Sequence, residues 1–427
     1  MSFPAFGLNS GRVGRSVRST LPTIPATQRS EPREPTKPTK PTKPNQQSRQ
    51  GRSGMSTETG NQVIVKPSAF RQFGTSADTF CLITDEEFVD EFAIAPSHLD
   101  SMVVPIGPDG DLGKVLAADI PETADVVAIC RRTFLSSPDA ATIGNGRRIV
   151  VLPCASTPVA LPHIRYALQV IERTDPAAQE LHADRFFAAV EQAAETATRL
   201  RIVDGEHGTS CTFDPAAGDY AWNQQAGFLA PGEQQIAPSG ELSVLPVDIM
   251  EFDGDRRLAL DGTLAFKGWP IVHAGYDRNL DAEQADLYER LTPLHRNPLI
   301  VTVRDGVIVD VQDPAGTDEG GALVAVFNEL FAAEPHYRTV WELGFGINTD
   351  MELTPANSGL NETYGARDGV VHIGLGLTPF TKFALTFICP GSAMVDGAGG
   401  PIVGKKPASA SGKPRINRIR SISCGCH

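Results

Sequence analysis

The chain has 427 residues, with 38 Lys plus Arg against 51 Asp plus Glu and a formal net charge of −13. The charge is unevenly placed: residues 1–62 carry ten basic and three acidic side chains, residues 404–427 carry six basic and none acidic, and the body between them is left at −26. This excludes a uniformly acidic globule, and it excludes a nucleic-acid binder, because the body would repel a phosphate backbone while the cationic residues are confined to the ends.

Residues 1–62 contain eight prolines, including the repeat Pro35-Thr-Lys-Pro-Thr-Lys-Pro-Thr-Lys-Pro44. A segment so poor in apolar residues cannot offset its ordering entropy, which predicts a disordered tail with polyproline II character. Met55 is a second candidate start, so residues 1–54 are read either as a tail or as an upstream extension. Pro4, Gly7, Arg12, Arg15 and Arg18 stand where a signal peptide needs an apolar stretch, and no run of 18 apolar residues occurs. A soluble, cytoplasmic protein is expected. Of the seven cysteines, Cys81, Cys130, Cys154, Cys211 and Cys389 sit singly in apolar surroundings, which predicts buried free thiols rather than a disulfide framework.

From Val63 to Val203 short apolar runs alternate with amphipathic stretches. Thr79–Thr84, Asp125–Cys130 and Arg148–Pro153 read as buried strands, and Glu86–Ala95, Leu161–Arg173 and Asp184–Ile202 as helices. Alternation of this kind predicts an α/β domain over 63–203 with a doubly wound, mainly parallel sheet. From residue 204 to 403 the texture is Gly-rich, with strands at Ser243–Phe252, Leu299–Arg304, Val307–Val311, Val340–Ile347 and Gly369–Leu375, and helices at Asp281–Leu291 and Gly321–Ala333. Asp305-Gly306 is a hairpin signal, and the whole predicts an α+β domain. Residues 404–427 return to a flexible, basic composition and end in Arg418-Ile-Arg-Ser-Ile-Ser-Cys-Gly-Cys-His427.

Candidate chemistry is concentrated in the second domain. Glu233 lies in the loop Pro231-Gly-Glu-Gln-Gln-Ile-Ala-Pro238, Glu342 in the apolar strand Trp341-Glu-Leu-Gly-Phe-Gly-Ile-Asn348, and His372 in Val370-Val-His-Ile-Gly-Leu-Gly376. A carboxylate in an apolar strand costs several kcal/mol unless it is paired, hydrogen bonded or bound to a cation. Two readings stand for Glu342 and His372: satisfied buried polar residues, or convergence on a divalent metal that takes oxygen and imidazole ligands.

These segments resemble the metalloaminopeptidases of the aminopeptidase T and aminopeptidase S (leucyl aminopeptidase-like) family, over about Thr79–Gly397. His207-Gly-Thr-Ser-Cys-Thr-Phe213 is similar to the family's Gly-Thr-Asp-Leu segment, with Ser210 in place of the Asp. Pro231–Pro238 resembles its Gly-Glu-Val-x-x-Ala-Pro loop. The resemblance implies metal ligands at Glu233, Glu342 and His372, with Glu233 or Glu362 as general base. The family closes its dinuclear site with a His-x-Asp pair beyond the ligand histidine. Here that stretch reads Ala384-Leu-Thr-Phe-Ile-Cys-Pro-Gly-Ser392, which has neither residue, and the family's tyrosine is missing from Leu377–Phe383. Three ligands survive of the five or six that two ions require, which implies at most one divalent ion: zinc, cobalt or manganese. Pyridine-diol dioxygenases share a related fold with two histidines and an aspartate on iron, and the same gap counts against that activity.

Cys424, Cys426 and His427 form a compact soft-ligand group at the C-terminus. It is read as an incidental tail, as a strap supplying ligands to the metal site, or as a substrate segment resembling the core of a ribosomally made, modified peptide. The expected function is a peptide-binding or peptide-presenting relative of the aminopeptidases, in peptide natural-product maturation. A metal-dependent aminopeptidase is the alternative. The expected partners are a peptide, peptide-modifying enzymes and a second copy in a homodimer, with no nucleic acid and no membrane.

Overall fold

In the computed structural model the described residues are 62–108, 110–135, 137–154, 159–247, 256–275, 277–353, 361–376, 380–402 and 418–419, with backbone alone for 361–362 and 418–419. The tail readings for residues 1–61, Met55, Cys424, Cys426 and His427 fall outside them. From residue 61 onward the chain forms one compact unit. Among the described residues no helix is long and apolar enough to cross a membrane.

The first half builds a five-stranded parallel sheet in the spatial order Gln234–Ile236, Arg147–Pro153, Ala124–Cys130, Thr79–Asp85, Asp100–Ile106. This is the 2-1-3-4-5 order of a doubly wound fold. Its three central strands, Arg147–Pro153, Ala124–Cys130 and Thr79–Asp85, are largely buried apolar runs because both faces are covered. Phe80 and Leu82 join Val127 and Ile129 in one apolar cluster with Ile164, Ala167 and Ile171 of helix Leu161–Arg173, while Cys81, Ile83, Val126 and Ala128 pack with Leu112 and Leu116 on the other face. The fifth strand, Gln234–Ile236, comes from sequence beyond residue 203, so the parallel sheet draws on both predicted regions.

Two predicted helices differ from the structure. Glu86–Glu91 is a 3-10 helix, and Phe92–Ile94 leaves it as a strand paired with Val63–Val65. The Asp85 carboxylate, which could have capped an α-helix there, instead accepts the backbone N–H groups of Arg131, Arg132 and Thr133. The second long helix runs Pro176–Glu195, earlier than its periodicity suggests, because Asp175 caps it and Pro176 occupies its first turn. It stops before Ala197, whose φ is 51°, and Leu200–Asp204 is a strand.

The second half contributes two further sheets. A six-stranded antiparallel sheet has the order Val307–Gln312, Leu299–Arg304, Leu260–Phe266, Thr209–Phe213, Leu200–Asp204, Ser392–Val395. A seven-stranded sheet has the order Pro270–His273, Ala384–Pro390, Val370–Leu375, Val340–Gly346, Glu241–Pro246, Tyr220–Gln225, Arg418–Ile419. One apolar cluster joins them: Ile202, Phe213 and Leu264 from the first, Trp222, Leu242, Leu343, Phe345 and Ile373 from the second, with Phe186 and Phe187 of the long helix and Phe327 of helix Asp318–Ala333. The five body cysteines are buried and none of them forms a disulfide, as their apolar settings predict.

Candidate metal centre

The site follows from strand alternation. Leu343 and Phe345, Val371 and Ile373, and Leu242 and Val244 all point into the core shared by the two sheets. Residues one position away, Glu342, His372 and Glu241, therefore point to the opposite face, where they line a cavity of about 80 Å³. Phe134, Val151 and Pro153 from the parallel sheet and its loops, together with Gln235 and Ile236, form the other wall.

Register brings the three groups together. Gly344 pairs with His372 on one side and with Ser243 on the other, while Glu241 pairs with Gly346. Glu342 thus approaches His372 from one end and Glu241 from the other. His372 Nε2 lies 3.7 Å from Glu342 Oε1 and 3.9 Å from Glu241 Oε1. Both separations exceed a hydrogen bond. Glu241, Glu342 and His372 are 4 %, 1 % and 2 % exposed, and Glu241 Oε1, Glu342 Oε1 and His372 Nδ1 have no hydrogen-bond partner among the described residues. Two buried carboxylates with orphaned oxygens call for a proton or a cation.

Burial pushes the Glu241 carboxyl up to about 7; the neighbouring His372 works against that shift and the Glu342 charge adds to it. Burial also disfavours the imidazolium of His372, yet the Glu241 carboxylate and the Glu342 carboxylate outweigh it and hold the histidine above its ordinary value. One proton shared among the three groups is thus one way to balance the charge. A divalent ion is the other. Donors bound at about 2.0–2.2 Å in tetrahedral geometry stand roughly 3.3–3.6 Å apart, close to the spacing seen, and two carboxylates with one imidazole are a donor set for zinc, cobalt or manganese.

The sequence-derived residues divide. Glu342 and His372 meet in this site. Glu233 does not line the cavity: it is half-buried in its loop, where its Oε2 accepts the N–H of Ala230. Ser210 is exposed on the six-stranded sheet. Glu362 lies in the short helix Asn361–Tyr364, and its side chain is outside the described atoms. The third partner is Glu241, which the motif comparison passes over. It begins the strand Glu241–Pro246, two residues ahead of the apolar run expected from Ser243, and its alternation with Leu242 and Val244 is the signal that identifies it.

Strand Ala384–Pro390 presents Thr386 and Ile388 to the cavity. These are an i, i+2 pair on one face, the arrangement a His-x-Asp pair needs to reach a second ion. A hydroxyl and an apolar side chain stand there instead.

A family model described as crocagin biosynthetic protein CgnE/B matches residues 114–397, well over half of the chain and including every strand that carries the site. The matched family is thus a different one from the aminopeptidases that the motifs resemble. No curated protein matches the chain. Among solved structures the chain is similar to 2,5-dihydroxypyridine dioxygenase from Pseudomonas putida KT2440, with a TM-score of 0.45 and 15 % identity over 76 % of this chain and 90 % of that one.

Proposed function

Because the chain belongs to the crocagin biosynthetic protein CgnE/B family, we propose that it serves peptide natural-product maturation by binding or presenting a peptide, one end group or side chain of which enters the cavity between its parallel and seven-stranded sheets. The observation that carries this reading is the pair Thr386 and Ile388, which leaves Glu241, Glu342 and His372 as one cation site where a dinuclear hydrolase needs two. A bound zinc, cobalt or manganese ion would supply a fixed positive charge able to polarise a peptide carbonyl or anchor a terminal group. Glu241 and Glu342 would hold that charge, and the apolar wall of Phe134, Val151 and Pro153 would exclude water around it. A body of −26 favours a cationic peptide, and the six basic residues of 404–427 make the chain's own tail one such peptide.

The test pairs metal analysis with binding. Purified protein should take up no more than one zinc, cobalt or manganese ion per chain and lose it in Glu342→Gln. It should bind a labelled cationic peptide with an affinity that falls as salt rises and falls at least tenfold in the same variant. Turnover of Leu or Arg amides at enzymatic rates with added metal would overturn this reading in favour of a metal-dependent aminopeptidase. Peptide binding unaffected by Glu342→Gln would remove the cavity from it.

A further inference from the structure

Strand Tyr220–Gln225 is paired along its full length on one side, from Glu241↔Gln225 to Pro246↔Tyr220. On its other side it has only two partners among the described residues, Arg418↔Trp222 and Ile419↔Asn223, in parallel. No other partner on that flank lies among the described residues, and an edge strand pairs with an added strand through its backbone donors and acceptors. The same strand ends at Gln225, which lines the Glu241, Glu342 and His372 cavity. Its side chain is held there: Gln225 Nε2 donates to Asn223 Oδ1, and Gln225 Oε1 accepts the N–H of Ile236 from the opposite cavity wall.

Direction is the informative part. The added strand Arg418–Ile419 runs parallel to Tyr220–Gln225, so a strand continued in its direction would run toward Gln225 and not away from it. At about 3.3 Å per residue, two further residues in the same register would be level with Gln225, and an extended length of six more could span about 20 Å. The terminal Ile422-Ser-Cys-Gly-Cys-His427 is thus within reach of the cavity, and fifteen residues between Ile402 and Arg418 give ample length to arrive at the edge from the body.

We infer that the edge of Tyr220–Gln225 is a peptide dock working by strand addition, that its occupant is this chain's own basic tail, and that docking at Arg418–Ile419 directs residues 422–427 to the cavity of Glu241, Glu342 and His372. Backbone pairing supplies the affinity and tolerates sequence variation, whereas the cavity selects among the residues beyond the docked strand. Covalent attachment raises the local concentration of the segment to the millimolar range without any new contact. The inference rests on the peptide-handling reading above and adds to it the site of entry, the polarity of the peptide and the identity of the segment.

The test uses the full-length chain. Ile419→Pro removes a backbone N–H and restricts the strand at the tail without touching the body. Hydrogen exchange of the amides of 220–225 should accelerate at least tenfold in Ile419→Pro relative to the wild type, and a synthetic peptide of residues 404–427 added to the variant should restore their protection. A photo-crosslinking residue in place of Ile422 should label peptides containing Phe134, Gln225 or Thr386. Equal exchange in both proteins overturns the dock, and labelling confined to other surfaces overturns the delivery to the cavity. Protection that falls on dilution assigns the added strand to a second copy and overturns docking in cis. Loss of the dock with retained, Glu342-dependent binding of a cationic peptide would sink this inference alone. Intact docking without any such binding would sink the function proposed above.

Discussion

His372 and Gly344 face each other across adjacent strands, and the imidazole fills the space in which a Cβ at Gly344 would have to sit. Gly365 bounds the ring from another side: a Cβ there would come within 2.7 Å of His372 Nδ1 and 3.2 Å of Glu241 Oε2. The glycines are therefore what lets a histidine and two glutamates converge between sheets.

Gly344→Ala should displace the imidazole, because neither the strand nor the buried ring can yield without disturbing packed neighbours. A loss of about 1–3 kcal/mol is expected from overpacking, read as a lowered denaturant midpoint. Metal uptake at the Glu241, Glu342 and His372 site should fall with it. A variant as stable as the wild type would contradict the packing described.

Thr386→His combined with Ile388→Asp should raise metal stoichiometry above that of the wild type, from the proposed one ion per chain toward two, since both positions face the cavity on one strand. Elemental analysis of the dialysed double variant measures this directly. Unchanged stoichiometry would show that more than the missing pair separates this site from a dinuclear one.

Stability of the metal-free protein should fall as pH rises. Glu241 is raised from 4.5 to about 7 in the folded state, chiefly by burial, so its contribution favours folding below about 4.5 and is lost as pH climbs to about 7. His372 is raised as well, against the pull of burial, by Glu241 and Glu342, so its contribution is present below its unfolded value and lost in the same direction. Denaturant titrations at pH 5 and pH 8 should show the difference, and Glu241→Gln should shrink it. Added zinc should stabilise more at pH 8 than at pH 5, because binding needs the unprotonated ligands.

A second buried charge centre is structural. Asp204 accepts Lys267 Nζ at 2.6 Å, the N–H of His207 at 3.0 Å and Ser392 Oγ at 3.1 Å, which ties the strand Leu200–Asp204 to the strand Ser392–Val395. Burial opposes the charged form of Asp204, but its bonds to Lys267 and His207 win and hold the carboxyl down to about 2. Its stabilisation is thus complete above about 4 and lost as pH falls through about 2. Lys267→Met would strand the carboxylate in the interior, and a loss of about 3–5 kcal/mol is expected in chemical denaturation at pH 7.

Local features are readable from the residues. Helices Leu161–Arg173 and Asp281–Leu291 lie where their apolar periodicity places them, and Asp305-Gly306 makes the hairpin between Leu299–Arg304 and Val307–Gln312 with both turn residues at positive φ, 47° and 73°. Glu342 and His372 stand out because a charge or an imidazole inside an apolar strand demands a partner. Glu233 is drawn in by a loop motif, while Glu241 sits at the edge of a strand whose apolar run begins at Ser243. A short motif reports on local backbone shape, and it carries no information about which strand lies beside which.

The sequence by itself determined the alternating α/β character of the first half and marked Glu342 and His372 as polar groups inside apolar strands that require a partner. Those are consequences of chain geometry within a few residues. The tertiary structure decided the rest: that Glu241–Pro246 lies beside Val340–Gly346 and that strand beside Val370–Leu375, so that Glu241 completes the site; that Gln234–Ile236 joins the parallel sheet; and that Arg418–Ile419 meets the edge of Tyr220–Gln225. Strand order and register are set by which faces can be buried together once distant segments have met, a balance of packing against loop-closure entropy that no window of neighbouring residues contains.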